Sequence, residues 1–420
     1  MNTTAASACG FAPSSADPPA SPARAIESLD WPLMRNNLRR GDLDAAIDLL
    51  RQDDPVLTQA THVARFEAAF AEWVGTRHAV FVNSGATANL MTMMALRERF
   101  GGGQVIVPTL TWVSDIAAVI HCGFEPVFVD IDPRTLCMSE RAVLDQLGPE
   151  TRAVFLTQLL GFVGLSRTLL DELEWRGIPL IEDCCESHGA TFAGRRVGSF
   201  GLMSNFSFYY AHHMSTVEGG MICTDDADLY QMLRMLRSHG MVRESTSEDL
   251  RDQYYRDYPD LNPGFAFAYC TFNFRNNEIN AAIGLAQLPR LDEAIEARTA
   301  NLRLFLDALD PDRYRTDLAI DGSSNYALPL ILRHADPVLW AGVRQLLSAR
   351  GVEFRQGLSG GGNQLRQPYL RKIVGDQECA KYPEVEHIHF HSLYLGNYPD
   401  LDQDQIGDLC RSLNALPIES

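Results

Sequence analysis

No stretch of this 420-residue chain approaches the ~18 consecutive apolar residues that a membrane-spanning helix needs. The N-terminus also lacks the succession of positive charge, apolar run and cleavage site that marks a secreted precursor. Positive charge is scarce: 36 Lys and Arg stand against 54 Asp and Glu, a formal net charge of −18. Such an acidic chain offers no general surface for nucleic acid or for an anionic membrane, both of which require a positive field. A locally basic pocket remains compatible with it. Cysteine-pair motifs are missing as well. The nine cysteines are odd in number and include no C-x-x-C, so reduced thiols in a cytoplasmic protein are expected. Cys184 and Cys185 are adjacent. Neighbours on a strand point to opposite faces, so a core role is expected for them rather than a shared metal.

What the chain does contain is the balance of a globular protein with a sizeable core, 46% apolar and 21% charged residues. Residues 1–25, rich in Ala, Ser and Pro, carry no apolar periodicity and are expected to form a disordered leader. Helical periods follow at 41–52 and 62–74. Short apolar strands at 78–83, 104–108, 126–130, 153–159 and 179–182 then alternate with helical periods at 86–99, 113–121, 139–147 and 167–175. Continuous apolar strands between helices predict an α/β fold, a mostly parallel sheet with helices on both faces. Further strands at 204–209 and 220–224 extend it. After about residue 290 the character changes. A helical stretch at 290–309 leads into a smaller α+β region, so a large domain over 26–290 and a smaller C-terminal one over 291–420 are expected. The SGGG patch at 359–362 lacks both the Lys-Ser/Thr of a P-loop and a preceding strand, and reads as a plain loop.

In an open α/β sheet, ligands settle at the carboxyl ends of the strands. The first strand ends in Asn83-Ser84-Gly85-Ala86-Thr87 and opens a helix, where small residues let backbone amides approach an anion. Trp112 follows the second strand, in a position that suits turn packing as well as a ligand. Asp183 ends the fifth strand and reads equally as a helix cap. The segment Asn205 to Gly220 is the most unusual, with Phe206-Ser207-Phe208, paired His212-His213 and Glu218-Gly219-Gly220. A metal would require a third ligand at a definite spacing, and none is evident.

These residues carry a resemblance, over about residues 30–415, to the DegT/DnrJ/EryC1/StrS sugar-nucleotide aminotransferase family, which has the PLP-dependent transferase type I (aspartate aminotransferase-like) fold. In that family a segment resembling F-S-F-x-x-x-K-x-x-x-x-G-E-G-G carries the lysine that forms the Schiff base with pyridoxal phosphate. Here the flanks are present and His212 stands in the lysine's place. Within the family, histidine at this position is similar to the sugar 3-dehydratases. A sister dehydratase adds an iron–sulfur cluster held by closely spaced cysteines. The chain has no cysteine from Arg237 to Tyr269, so no such cluster is expected.

The resemblance implies a role for each residue. Asp183 would pair with the pyridine nitrogen and Trp112 would stack on the ring. Gly85, Ala86 and Ser207 would hold the phosphate, Glu186 would lie near the ring hydroxyl, and Asn273 would reach the cofactor phosphate of a partner subunit, which requires a homodimer. Imidazole cannot make a stable Schiff base, but its ordinary pKa of ~6.5 suits a general base. The implied activity is removal of the C3 hydroxyl from a nucleotide-linked 4-keto-6-deoxyhexose, GDP-4-keto-6-deoxy-D-mannose above all, for lipopolysaccharide deoxysugars. Pyridoxamine phosphate would be the working cofactor, renewed by L-glutamate. An ordinary aminotransferase and a catalytically idle sugar-nucleotide binder are the alternatives. His213, His239 and Arg243 read equally as sugar or phosphate contacts and as turn residues. Arg355 and Arg366 flank the glycine patch and, on charge alone, suit a nucleotide diphosphate. His387, His389 and His391 alternate at strand period, and are expected on one face of a solvated or packed strand near the active-site rim rather than around a metal.

Overall fold

The computed structural model describes residues 28–419; the expected leader at 1–25 lies outside them. Two helices, α1 (Arg40–Leu50) and α2 (Thr61–Val74), precede an alternating run. That run comprises β1 (His78–Val82), α3 (Gly85–Phe100), β2 (Gln104–Pro108), α4 (Val113–His121), β3 (Glu125–Val129), α5 (Glu140–Gln146), β4 (Thr151–Thr157), α6 (Arg167–Arg176) and β5 (Leu180–Asp183). A short hairpin of β6 (Thr191–Phe192) and β7 (Arg195–Arg196) follows. Then come β8 (Met203–Ser207), β9 (Gly220–Thr224), α7 (Ala227–Arg237), α8 (Glu248–Asp257) and α9 (Glu278–Gln287). The last part runs α10 (Leu291–Ala308), β10 (Ala327–Ile331), α11 (Pro337–Ala349), β11 (Phe354–Gln356), α12 (Pro368–Val374), α13 (Pro383–His391), β12 (Ser392–Gly396) and α14 (Gln403–Asn414). Among the described residues, no helix is long and apolar enough to cross a membrane.

Seven strands form the main sheet in the order β1-β9-β8-β5-β4-β2-β3. The five from β3 to β8 run parallel, whereas β9 is antiparallel to both β1 and β8. Period-2 alternation sends side chains into two cores. Ala79 and Phe81 join Phe66 and Phe70 on one face, and Val80 and Val82 join Ala88 and Met91 of α3 on the other. The first core fixes the approach to the cavity. Phe208, directly after β8, packs its ring 5.3 Å from Phe66 and 5.1 Å from Phe70. Removing such a ring costs ~3–5 kcal/mol, enough to loosen the turn that follows it.

A second, antiparallel sheet has the order β10-β12-β11 and packs with α10, α11 and α14 around a third core. The beginning of the described chain belongs to that core. Trp31 is fully buried there, bridges to Val352, and donates its indole N–H to the Gly396 carbonyl at 2.9 Å.

Two expectations are corrected. His387, His389 and His391 lie on the helix α13, not on a strand; the strand is the next segment, Ser392–Gly396. Pro383 at the first turn with Glu384 and Glu386 behind it is a helix start, and it prevails over the apparent alternation. At helical spacing only His387 and His391 share a face, their rings 5.1 Å apart. The glycine patch is also not a plain surface loop. Ser359–Gly361 forms a single 3₁₀ turn against the main sheet's ligand end, and a Cβ on Gly360 would sit 2.2 Å from the Thr111 carbonyl oxygen.

Candidate active site

A cavity of about 280 Å³ opens where the carboxyl ends of β4, β5 and β8 meet the second sheet. Ser84, buried only in part, caps α3 by accepting from the Thr87 amide at 3.1 Å, which leaves the Gly85 and Ala86 amides at the helix start facing the cavity. The Ser207 hydroxyl stands beside them. A Cβ on Gly85 would lie 2.6 Å from the Ser207 Cβ, so glycine is what keeps this cradle open. Trp112, at the start of α4, is 51% exposed and lines the rim. It is not core packing.

Asp183 closes the floor. It caps no helix: its Oδ1 accepts from the Cys185 amide at 2.8 Å and its Oδ2 from the Asn89 side-chain amide at 2.9 Å. Of the adjacent cysteines, Cys184 is a core residue, as expected, whereas Cys185 turns its side chain to the cavity. Three residues beyond Asp183, Glu186 accepts from the Leu160 amide at 2.9 Å and from the Ser359 hydroxyl at 2.8 Å. Burial pushes its carboxyl up to about 7 despite those donors.

His212 sits in the turn between β8 and β9. Its amide donates to the Tyr209 carbonyl at 3.0 Å, and its carbonyl accepts from the Asn37 side chain at 3.0 Å. The imidazole lines the cavity, 5.4 Å from the Tyr326 ring, and its Nδ1 is buried without a hydrogen-bond partner. Burial, with the Arg298 guanidinium adding to it, pulls the ring down to about 3, so it stands as a neutral imidazole.

Gly85, Ala86, Trp112, Asp183, Glu186, Ser207 and His212 therefore converge on one cavity. The remaining candidates do not. Asn273 is exposed, its Oδ1 accepting from the Arg275 amide at 3.1 Å, and it does not line this chain's cavity. His213 is buried against Ser324, Arg243 reaches the Gly264 carbonyl, and Arg366 is paired with Glu386. His239 takes a positive φ of 60°, with its amide donating to the Phe272 carbonyl. Of the two arginines beside the glycine patch, only Arg355 reaches the cavity, and among the described residues no other Arg or Lys lines the wall. Tyr326, Tyr394 and Ser359 were not singled out by the sequence reading. The sequence carries no local signal for them: Arg355 on β11 comes to lie directly opposite Tyr394 on β12 only when those strands pair.

The residues fit pyridoxal phosphate. Amides at a helix start, with a hydroxyl and a space that a Cβ would fill, suit the phosphate dianion. A buried carboxyl at the cavity floor, steadied by the Asn89 and Cys185 amides, suits a protonated ring nitrogen. Fold and site together are those of a pyridoxal-phosphate-dependent enzyme of the aspartate-aminotransferase type. Residues 39–414 match the DegT/DnrJ/EryC1/StrS aminotransferase family, and the chain belongs to that family. It is 30% identical to the GDP-4-keto-6-deoxy-D-mannose 3-dehydratase of Yersinia pseudotuberculosis over 387 residues, 91% of this chain and 97% of that protein. A solved E. coli GDP-4-keto-6-deoxy-D-mannose-3-dehydratase with bound hydrated PLP superposes with a TM-score of 0.83 at 28% identity, covering 92% of this chain and 100% of that one. Identity to the GDP-perosamine synthase of Caulobacter vibrioides is 37%, over 236 residues, 56% of this chain and 58% of that protein.

Proposed function

We propose that this chain is a 3-dehydratase that removes the C3 hydroxyl of a nucleotide-linked 4-keto-6-deoxyhexose, most specifically GDP-4-keto-6-deoxy-D-mannose. Pyridoxamine phosphate is its working cofactor and L-glutamate renews the amine. One observation carries the reading. The chain contains two lysines in all, Lys372 and Lys381, and neither lines the cavity. Lys372 is exposed on α12 and Lys381 pairs with Glu378 at 2.6 Å. No amine is available to hold the cofactor covalently or to shuttle its proton. His212 stands where that amine would be.

When bound, the cofactor would supply a conjugated ring that takes up the electron pair released by proton removal beside it and gives that pair back as the sugar's C3 hydroxyl departs with the C–O bonding electrons. The protein's residues do the rest. Gly85, Ala86 and Ser207 grip the phosphate, Asp183 faces the ring nitrogen, Trp112 covers the ring face, and Glu186 lies by the ring hydroxyl. His212, neutral before ligands enter, accepts a proton beside the cofactor; the negative charge of the incoming phosphates raises its basicity. Arg355 receives the second anionic group, the nucleotide diphosphate or the glutamate carboxylate in turn. Asn273 serves the cofactor of a second subunit, so the working unit is a homodimer. In the same reading, 26–290 is the cofactor domain and 291–420 the domain that closes it. The enzyme works in the cytoplasm on sugars bound for lipopolysaccharide.

A sugar aminotransferase is the second reading, favoured by the family's name and by the likeness to GDP-perosamine synthase. It requires the amine that the cavity lacks. One assay separates them: the protein with pyridoxal phosphate, L-glutamate and GDP-4-keto-6-deoxymannose is expected to give 2-oxoglutarate, ammonia and a 3-deoxy sugar. An amino sugar as the main product sinks the dehydratase reading in favour of the aminotransferase. No turnover of any keto sugar would leave an idle binder.

A further inference from the structure

Behind Asp183 lies a second carboxylate that no role in the reaction has absorbed. Asp115, on the first turn of α4, is fully buried. Its Oδ1 accepts from the Asn89 side-chain amide at 2.6 Å, and the same nitrogen is 2.9 Å from Asp183 Oδ2. One amide thus joins two acids, and neither acid is in an ion pair among the described residues. The titratable groups that bear on Asp115 are Asp183, Cys185 and Tyr369, none of them a cation at neutral pH.

Hydrogen counting decides how such a pair exists. Asp115 Oδ2 is 2.6 Å from the Thr157 hydroxyl and also hydrogen-bonded to the Thr111 hydroxyl, and those two hydroxyls are 2.8 Å from each other. Three oxygens make three mutual contacts. The two threonines bring two hydrogens, so an ionised Asp115 leaves one oxygen–oxygen contact with nothing between. A third proton completes the ring, each oxygen donating once and accepting once. Asp183 lies outside that ring: it accepts from the Asn89 side-chain amide and the Cys185 backbone amide, with the Asp115 carboxyl and the Cys185 thiol also beside it.

We propose that Asp115 is a permanently protonated positioning residue: as a neutral acid locked into the Thr111–Thr157 ring, it orients Asn89 and adds no negative charge behind Asp183. Burial together with the neighbouring Asp183 charge raises the Asp115 carboxyl well above the usual range, in agreement with the hydrogen count. The inference rests on the cofactor site and not on which sugar reaction follows.

The decisive measurement uses the cofactor-free protein. Infrared difference spectroscopy of wild-type protein carrying isotope-labelled aspartate is expected to show a protonated carboxyl band that persists from about pH 5 to pH 8. Its absence means an ionised Asp115 and overturns the proposal. The band is expected to vanish in Asp115→Asn. Thermal unfolding supplies the second arm. A raised native pKa means the folded state holds its proton while the unfolded chain releases it, so wild type loses stability as pH rises above about 4. The amide imitates the neutral acid and does not titrate, so the unfolding midpoint of Asp115→Asn should rise relative to wild type between about pH 4 and pH 8. Parallel midpoints across that range, or failure of Asp115→Asn to fold, count against the proposal. Pyridoxal phosphate binding by Asp115→Ala, which takes one partner from Asn89 and from each threonine hydroxyl, should weaken roughly tenfold and be rescued by Asp115→Asn. Equal losses in both variants would overturn the neutral-acid assignment, whatever sugar the enzyme takes.

Discussion

On the side of the cavity supplied by the seven-stranded sheet, polar groups sit at strand ends and helix starts: Ser84, Gly85, Asp183 and Ser207. On the side supplied by the second sheet, Tyr326, Arg355, Tyr394 and the Ser359 turn face the same space from an edge of β10, from β11 and β12, and from residues with positive φ such as Leu358 and Gly360. The first side is preorganised by parallel-strand geometry and a buried core, so it suits a group that stays bound. The second is more open, with Arg355 exposed, and suits ligands that come and go. At the cavity the Ser359 hydroxyl, donating to Glu186, ties the two.

Variants can break that contrast, and the largest effects belong to the sheet side. His212→Asn should lower dehydration by ~10²–10⁴-fold while pyridoxal phosphate affinity, read by equilibrium titration, changes little. A comparable loss of affinity would make the imidazole a binding group rather than a base. Asp183→Asn should weaken the cofactor by ~10²-fold or more, since a charged hydrogen bond in a buried site is worth ~2–3 kcal/mol. Unchanged affinity would remove Asp183 from the ring nitrogen.

On the opposite side the effects shrink. Arg355→Gln should raise KM for the anionic substrate by about tenfold with a smaller change in kcat, and a collapse of kcat alone would contradict a role in binding. Glu186→Gln probes the tie. The Glu186 carboxyl, raised to about 7, holds its proton in the folded state and loses it on unfolding, so wild-type stability declines from about pH 4 to pH 7. Gln retains an acceptor for Leu160 and does not titrate; it should therefore stabilise the cofactor-free protein at pH 8, by on the order of 1–3 kcal/mol, and not at pH 4. An equal effect at both pH values would mean that packing, not protonation, governs the tie.

The contrast also explains what the sequence disclosed. Strand ends such as Asn83-Ser84-Gly85 announce themselves because apolar runs stop there and small residues begin, and the helical and strand periods of the large domain agree with the observed elements to within a few residues. The second side has no such grammar. Arg355 and Tyr394 are neighbours only through strand pairing, and Gly360 approaches Thr111 only after two distant segments have met. The histidines of α13 mislead for a local reason, since alternation over five residues fits a strand until Pro383 is weighed. Asp115 stays hidden because an acid on the first turn of a helix usually signals exposure and dipole stabilisation rather than burial.

The indole of Trp31 adds a consequence for how the molecule is made. Its partners, Val352 and Gly396, are more than three hundred residues downstream, so the earliest described segment of the chain completes a core that is synthesised last. During translation, residues 28–33 must wait, their aromatic ring unburied, until nearly the whole polypeptide has emerged. The main sheet can assemble in the meantime from contacts closer in sequence. The described chain thus folds from its middle outward, and the segment around Trp31 is among the last to settle.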